Sequence, residues 1–226
     1  MPNTGAALVR VVAVATMSFG EMVGVTKCPY AGLTVWRQID IDSRLIDEQG
    51  ISALEDIGGI VRELIAGEED RGLDMLAIEL DHPLIIGDLD LFTRAIALFA
   101  RGLLGTEALP GQSDGLTVDE GEWIAYLGGK RLFIFTLCPF YGMSHPRRSV
   151  TGSAFIVIQF TNSFRKINLH RMSLDKRKQL SDRVKSIFME AGIDYFAYIT
   201  QSSSEALKVV KPLRQGDEPV RWWRTL

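Results

Sequence analysis

The segment WIAYLGGKRLFIFTL, residues 123–137, narrows the folds open to this chain more than any other stretch. Two apolar arms flank Gly128-Gly129, and a Gly pair suits the two positive-φ positions of a tight turn, so the segment is predicted to be a β-hairpin. AFIVIQF, residues 154–160, is short and apolar and reads as another buried strand. MLAIEL, residues 75–80, reads the same way and runs into Asp81, His82 and Pro83, which end it. Residues 7–15 form a further apolar run, expected to be a buried strand.

Helical periodicity appears between these runs. ISALEDIGGIVRELIAG sets Leu54, Ile57, Ile60, Val61, Leu64 and Ile65 on one face, with Ser52 as the expected N-cap and despite the Gly58-Gly59 pair. From Asp88, the spacing of Leu89, Phe92, Ile96, Phe99 and Leu103 predicts a second amphipathic helix stopped by Gly105. EALPGQSDGLTVDEG, residues 107–121, is a loop of turn formers. Ser173 is placed to cap a third helix with the stripe Leu180, Val184, Ile187 and Phe188 and a stop at Gly192. Ser202 and Glu205 have capping-box spacing and open a short helix that Pro212 ends. Strands and helices without regular βαβ alternation indicate an α+β fold with a mostly antiparallel sheet and flanking helices, as one domain over residues 1–226.

Composition excludes several classes of function. The 226 residues carry a formal charge of -3 with no Lys/Arg block, which argues against a nucleic-acid surface. No window approaches 18 apolar residues, so no membrane span is expected. Cys28 and Cys138 are the only cysteines, too few for a disulfide framework, and a cytoplasmic protein is expected. A Gly-rich phosphate loop, HExxH, GxSxG and CxxC are all missing.

The segment with the densest chemistry is CPFYGMSHPRR, residues 138–148, which joins the hairpin to the strand at 154 and is expected at a rim or cleft edge. Of the three histidines, His82 reads as a surface or rim group and His170 lies in a polar connection. His145 stands in a Pro-punctuated loop with Arg147 and Arg148 directly downstream. An axial imidazole with nearby guanidinium groups is what a haem site requires, the arginines pairing with the propionates. The plainer reading is a loop histidine hydrogen-bonded to backbone. Cys138 has two readings as well, a thiolate iron ligand or a small buried hydrophobe. Phe133, Phe135, Phe140 and Tyr141 either wall a porphyrin or belong to the core.

Three segments together resemble the YqcI/YcgG family, whose members of known activity are haem-dependent N-oxygenases. They are TKCPYAGLTVWR near the start, EWIAYLGGKRLFIFTLCPFYGMSHPRRSVTGSAFIVIQFTNSF in the middle, and SSSEALKVVKPLR with VRWW towards the end. The likeness spans most of the chain, and the middle segment is the specific part. In one branch of the family a His-Pro pair ends the strand directly, where Cys138-Pro139 stands here. In another the turn is longer and suits His145-Pro146. The family's closing Cys-Pro-Phe is replaced by Trp222, Trp223 and Arg224.

The resemblance implies haem b with iron held by His145, or alternatively by Cys138, and propionates held by Arg147 and Arg148 with Tyr141 beside the cofactor. It implies O2 or peroxide as oxidant and a small polar amine or guanidine as substrate, hydroxylated on nitrogen, in natural-product biosynthesis. Such a substrate needs carboxylate partners, for which Asp81, Glu79 and Glu122 are the candidates. The alternative is a non-enzymatic haem-binding, haem-transfer or haem-degrading protein. A third reading makes the loop a partner-contact rim without cofactor. A homodimer suits a sheet face left open.

Overall fold

The computed structural model describes residues 18–28, 31–66, 72–110, 123–166, 168, 171–196, 199 and 204–226. The expected strand at 7–15, most of the 107–121 loop, Glu122, His170 and the Ser202 end of the capping box lie outside the described residues. The described elements run α1 (Ser18–Val25), β1 (Trp36–Asp40), α2 (Ser43–Gln49), α3 (Ala53–Ile65), β2 (Met75–Leu80), α4 (Pro83–Gly87) and α5 (Leu89–Leu104). They continue with β3 (Ala125–Leu127), β4 (Lys130–Leu137), β5 (Ala154–Phe160), α6 (Asn162–Lys166), α7 (Leu174–Glu190) and α8 (Ala206–Val209). Among the described residues no helix is long and apolar enough to cross a membrane.

The five strands form one sheet in the order β1-β2-β5-β4-β3. β1 is parallel to β2, and the other three pairings are antiparallel, so the expected α+β class with a mostly antiparallel sheet holds. The hairpin forms where expected: Leu127 pairs with Lys130, and Gly128 (φ 57°) and Gly129 (φ 76°) occupy the turn between them. MLAIEL and AFIVIQF become β2 and β5, the central antiparallel pair.

Alternation along these strands divides the interior in two. Leu76, Ile78, Ile156, Ile158, Leu132 and Ile134 point to a large core shared with α3 and α5. Met75, Ala77, Phe155, Val157 and Leu137 point the other way into a smaller cluster that receives only Phe19 and Met22 of α1 as buried helix residues. Among the described residues the sheet therefore has one thickly covered face and one thinly covered face.

On the thick side α3 and α5 cross with their backbones almost in contact. A Cβ on Gly58 would overlap the Phe99 carbonyl oxygen, and a Cβ on Gly102 would overlap that of Glu55. The Gly58-Gly59 pair that looked like a weakness of the helix is thus half explained by packing. Arg101 pairs with Glu55 across the same crossing, its Nε donating to Oε1 at 2.7 Å.

Helix ends depart from expectation in two places. Ser52 makes no cap bond: it is in helical conformation and its hydroxyl donates to the Gln49 carbonyl at 2.9 Å. The Gly50-Ile51 turn that follows α2 already supplies acceptors to the first amides of α3, Ala53 N–H to Gly50 O and Leu54 N–H to Ile51 O. Glu205 precedes α8 rather than lying inside its first turn, and its carboxylate pairs with Arg131 and Lys208. Asp88 and Ser173 do cap, accepting from Leu91 N–H at 2.8 Å and Lys176 N–H at 3.4 Å. His82 is buried, contrary to the rim position expected for it, with Nε2 3.1 Å from Asp47 Oδ1.

The crossing makes a direct prediction. Gly58→Ala and Gly102→Ala each lose about 1–3 kcal/mol through overpacking. Gly59→Ala, whose Cβ would meet only the flexible Arg62 side chain at 3.7 Å, is neutral or gains up to about 1 kcal/mol. Urea denaturation of the three variants measures both.

Candidate functional site

Beyond Leu137 the chain leaves the sheet, and the 138–149 loop closes on itself. Cys138 N–H donates to Arg147 O at 3.0 Å and Ser149 N–H to Cys138 O at 3.0 Å, a small parallel bridge outside the sheet. Within it His145 N–H donates to Gly142 O and Arg148 N–H to His145 O. Pro139, Gly142 and Pro146 prevent helix or ladder here, so these bonds and side-chain contacts fix the loop.

The side chains pin it to residues 211–212. The His145 ring is stacked flat on Tyr141, centroids 3.9 Å apart and planes 3° from parallel, with Phe196 edge-on at 4.7 Å. Tyr141 Oη donates to the Lys211 carbonyl at 2.8 Å. His145 Nδ1 accepts the Arg147 backbone N–H at 3.0 Å, which puts the proton on Nε2, 3.0 Å from the Pro212 carbonyl that receives it. His145 is a neutral imidazole, 4% exposed, and burial pushes its pKa down to about 4.

The loop directs its cations elsewhere. Arg147 lays its guanidinium 4.4 Å over the Phe135 ring and approaches the Lys208 carbonyl at 3.5 Å. Burial lowers its pKa to about 10. Arg148 rests on the Met143 sulfur.

These arginines line a cavity of about 600 Å³ on the thin face of the sheet. Its floor is Met75, Phe133, Phe135, Leu137 and Gln159; its walls are Phe19, Met22 and Val23 of α1 and Val184 and Phe188 of α7. The apolar stripe expected on α7 is therefore real but half-buried, because it faces this space and not a packed core. Charged groups on the lining are Lys27, Arg147, Arg148, Lys208 and Lys211 against one carboxylate, Glu205. Glu205 Oε1 is taken at 3.2 Å by both Arg131 and Lys208. Within a chain of net charge -3 the described lining is therefore a local concentration of positive charge.

The residues singled out from the sequence separate into two groups. His145, Arg147, Arg148, Phe133 and Phe135 reach the cavity; Cys138, Phe140 and Tyr141 do not. Cys138 is 0% exposed in the main core, with Sγ 3.9 Å from the Ile86 carbonyl, and burial pushes its thiol up to about 12. It behaves as a small buried hydrophobe. Phe140 packs edge-on against Phe92 of α5, and burial raises the Tyr141 phenol well above its ordinary range. Neither Glu79, which accepts from Gln38 at 2.6 Å, nor exposed Asp81 lines the cavity. Cys28, Lys208 and Lys211 were missed by sequence reasoning, although a lysine between Val210 and Pro212 is a signal that could have been used.

Among the described residues the cavity offers the apolar walls and cations that a porphyrin and its carboxylates would need, but neither His145 nor Cys138 presents an open ligand atom to it. Both His145 nitrogens are engaged, leaving no lone pair for a metal, and the Cys138 thiol does not reach the space. As folded, His145 takes the plainer of its two readings.

The buried ring links stability to pH. The folded value lies below the unfolded one, so between pH 6.5 and about 4 the unfolded chain binds the extra proton. The stabilisation from neutral His145 is complete above pH 6.5 and lost as pH falls towards 4, on the order of 3 kcal/mol at most. In urea titrations from pH 7.5 to 4.5, the gap between the protein and its His145→Asn variant narrows as pH falls; a constant gap contradicts a neutral buried ring. Compared with protein-family models, curated proteins and solved structures, this chain matches none.

Proposed function

We propose that this protein binds haem in the cavity on the thin face of its sheet, holding the porphyrin by its apolar body and its carboxylates. The observation that carries the reading is the lining itself: aromatic and aliphatic walls around about 600 Å³ with, among the described residues, five cations and a single carboxylate already paired. Ligand cavities of about 300–1,000 Å³ with apolar walls and a few placed polar groups are the usual form of cofactor sites. Arg147 keeps the role of carboxylate partner expected for it. His145 acts differently, positioning Arg147 by fixing the loop.

Two readings of a haem-binding protein came from the resemblance, and the cavity favours binding, transfer or degradation of haem over N-oxygenation. An amine or guanidine substrate needs a carboxylate to receive its charge, and the carboxylate found on the lining among the described residues, Glu205, is committed to Arg131 and Lys208. Bound haem supplies iron redox and O2 chemistry, and the N-oxygenase reading rests on the middle-segment likeness to that family.

Hemin titration followed by absorption tests the proposal. A shifted Soret band saturating at one haem per chain is expected, and Arg147→Met weakens binding about tenfold, the loss of one charge-assisted contact. His145→Asn leaves the band position unchanged if the protein still folds. Addition of arginine or small guanidines to the complex leaves the spectrum unmoved under the binding reading; a spectral shift with N-hydroxylated product selects the oxygenase. A titration without saturation contradicts haem binding altogether.

A further inference from the structure

We propose that Lys211 and Arg147 together form a receptor for the carboxylate of an apolar ligand, and that the carboxylate enters with uptake of a proton by Lys211. The inference rests on the cavity being a ligand site, but not on the ligand being haem.

Lys211 is 7% exposed and lines the cavity. Its backbone is held from both sides, since its own carbonyl accepts from Tyr141 and the next one accepts from His145. Among the described residues its ammonium has no hydrogen-bond acceptor, and it stands 5.1 Å from the centre of the Phe196 ring. Arg147 faces it from the loop and, among the described residues, meets no carboxylate, only the distant Lys208 carbonyl and the Phe135 ring. Among the described residues neither the buried Lys211 nor the half-buried Arg147 meets a carboxylate, and a cation held out of water in this way is stabilised by an anion placed beside it. Burial, then repulsion from Arg147 and Lys208, pushes the Lys211 pKa down to about 7.

A carboxylate placed between the two cations supplies the missing acceptors and reverses the repulsion, so it draws Lys211 fully into its ammonium form. Above pH 7, binding is therefore accompanied by proton uptake. The groups facing Lys211 are Arg147, His145 and Tyr141 from the loop, Lys208 from α8, and the Phe196 ring. His145 titrates near pH 4 and Arg147 near pH 10, both outside the window. Cys28 faces Arg147, so the pH series is compared with Lys211→Met, in which that thiol is unchanged.

The probes are cis-parinaric acid, an intrinsically fluorescent fatty acid, and its methyl ester, with the full chain as receptor. The acid is expected to bind at least tenfold more tightly than the ester at pH 6.5. Its affinity falls from pH 6.5 to 8.5, approaching tenfold per unit at the alkaline end. Lys211→Met removes most of the preference and the pH dependence, and Lys211→Arg keeps the preference without the pH dependence. Equal binding of acid and ester, or an unaltered preference in Lys211→Met, overturns the receptor. Should Lys211→Met not fold, as judged by circular dichroism, the acid-to-ester ratio and its pH dependence in the unaltered protein still decide.

Hemin and hemin dimethyl ester separate the two sources of the carboxylate. Displacement of parinaric acid by hemin supports a porphyrin carboxylate at the receptor. Binding of the fatty acid without hemin ends the haem reading and leaves the receptor standing. Equal binding of hemin and its diester, with no effect of Lys211→Met, does the reverse.

Discussion

Everything at the candidate site depends on the two hydrogen bonds of one imidazole. His145 accepts a hydrogen bond from the Arg147 amide on one nitrogen and donates one to the Pro212 carbonyl from the other, so one ring fixes the loop's own bend and ties it to the chain after α8. Loss of such a ring strands buried polar groups at about 1–3 kcal/mol each. The fold obtains from this a defined exit direction for Arg147 and a backbone on which Lys211 is held. The same bonds use up the lone pair that a metal would need, so a histidine with the sequence context of a ligand serves here as a fastener.

The cavity exists because the sheet is covered unequally. Glycines at 58 and 102 let α3 and α5 approach until backbone meets backbone, and the residues of one sheet face fill the remaining space. On the other face the described cover is the short α1 and the half-buried stripe of α7, and a cavity of about 600 Å³ lies among them and the sheet. Period-two alternation in β2, β4 and β5 then hands the cavity a floor of Phe133, Phe135 and Leu137 without disturbing the core behind it. Positive charge converges on this floor from segments far apart in the chain, Lys27 near the start, Arg147 in the loop and Lys211 near the end.

The elements legible in the sequence were those whose signal is local. The Gly128-Gly129 hairpin, the strands at 75–80 and 154–160 and the helix from Asp88 to Gly105 each carry period, turn and stop within a dozen or so residues. Ser52 misled because its cap role is taken by a turn from the preceding helix, a relation between elements and not a property of the residue. His82 misled in the same way, its partner Asp47 lying 35 residues earlier. In CPFYGMSHPRR the residue types were read well and their directions were not. Tyr141 and Cys138 turn into the core while Arg147 turns into the cavity, and that division depends on contacts with residues 196 and 208–212. Lys211 escaped notice because a single lysine between Val and Pro is ordinary until the fold sets it on the cavity beside Arg147 and the Phe196 ring.

The measurement that bears most directly on this account is a crystal structure of the protein grown with hemin. The expected complex has the porphyrin against Phe135, its carboxylates on Arg147 and Lys211, and the His145 ring still flat on Tyr141 with Pro212 as its acceptor. A ring swung out of that stack onto the iron, or a porphyrin seated away from the thin face of the sheet, contradicts it.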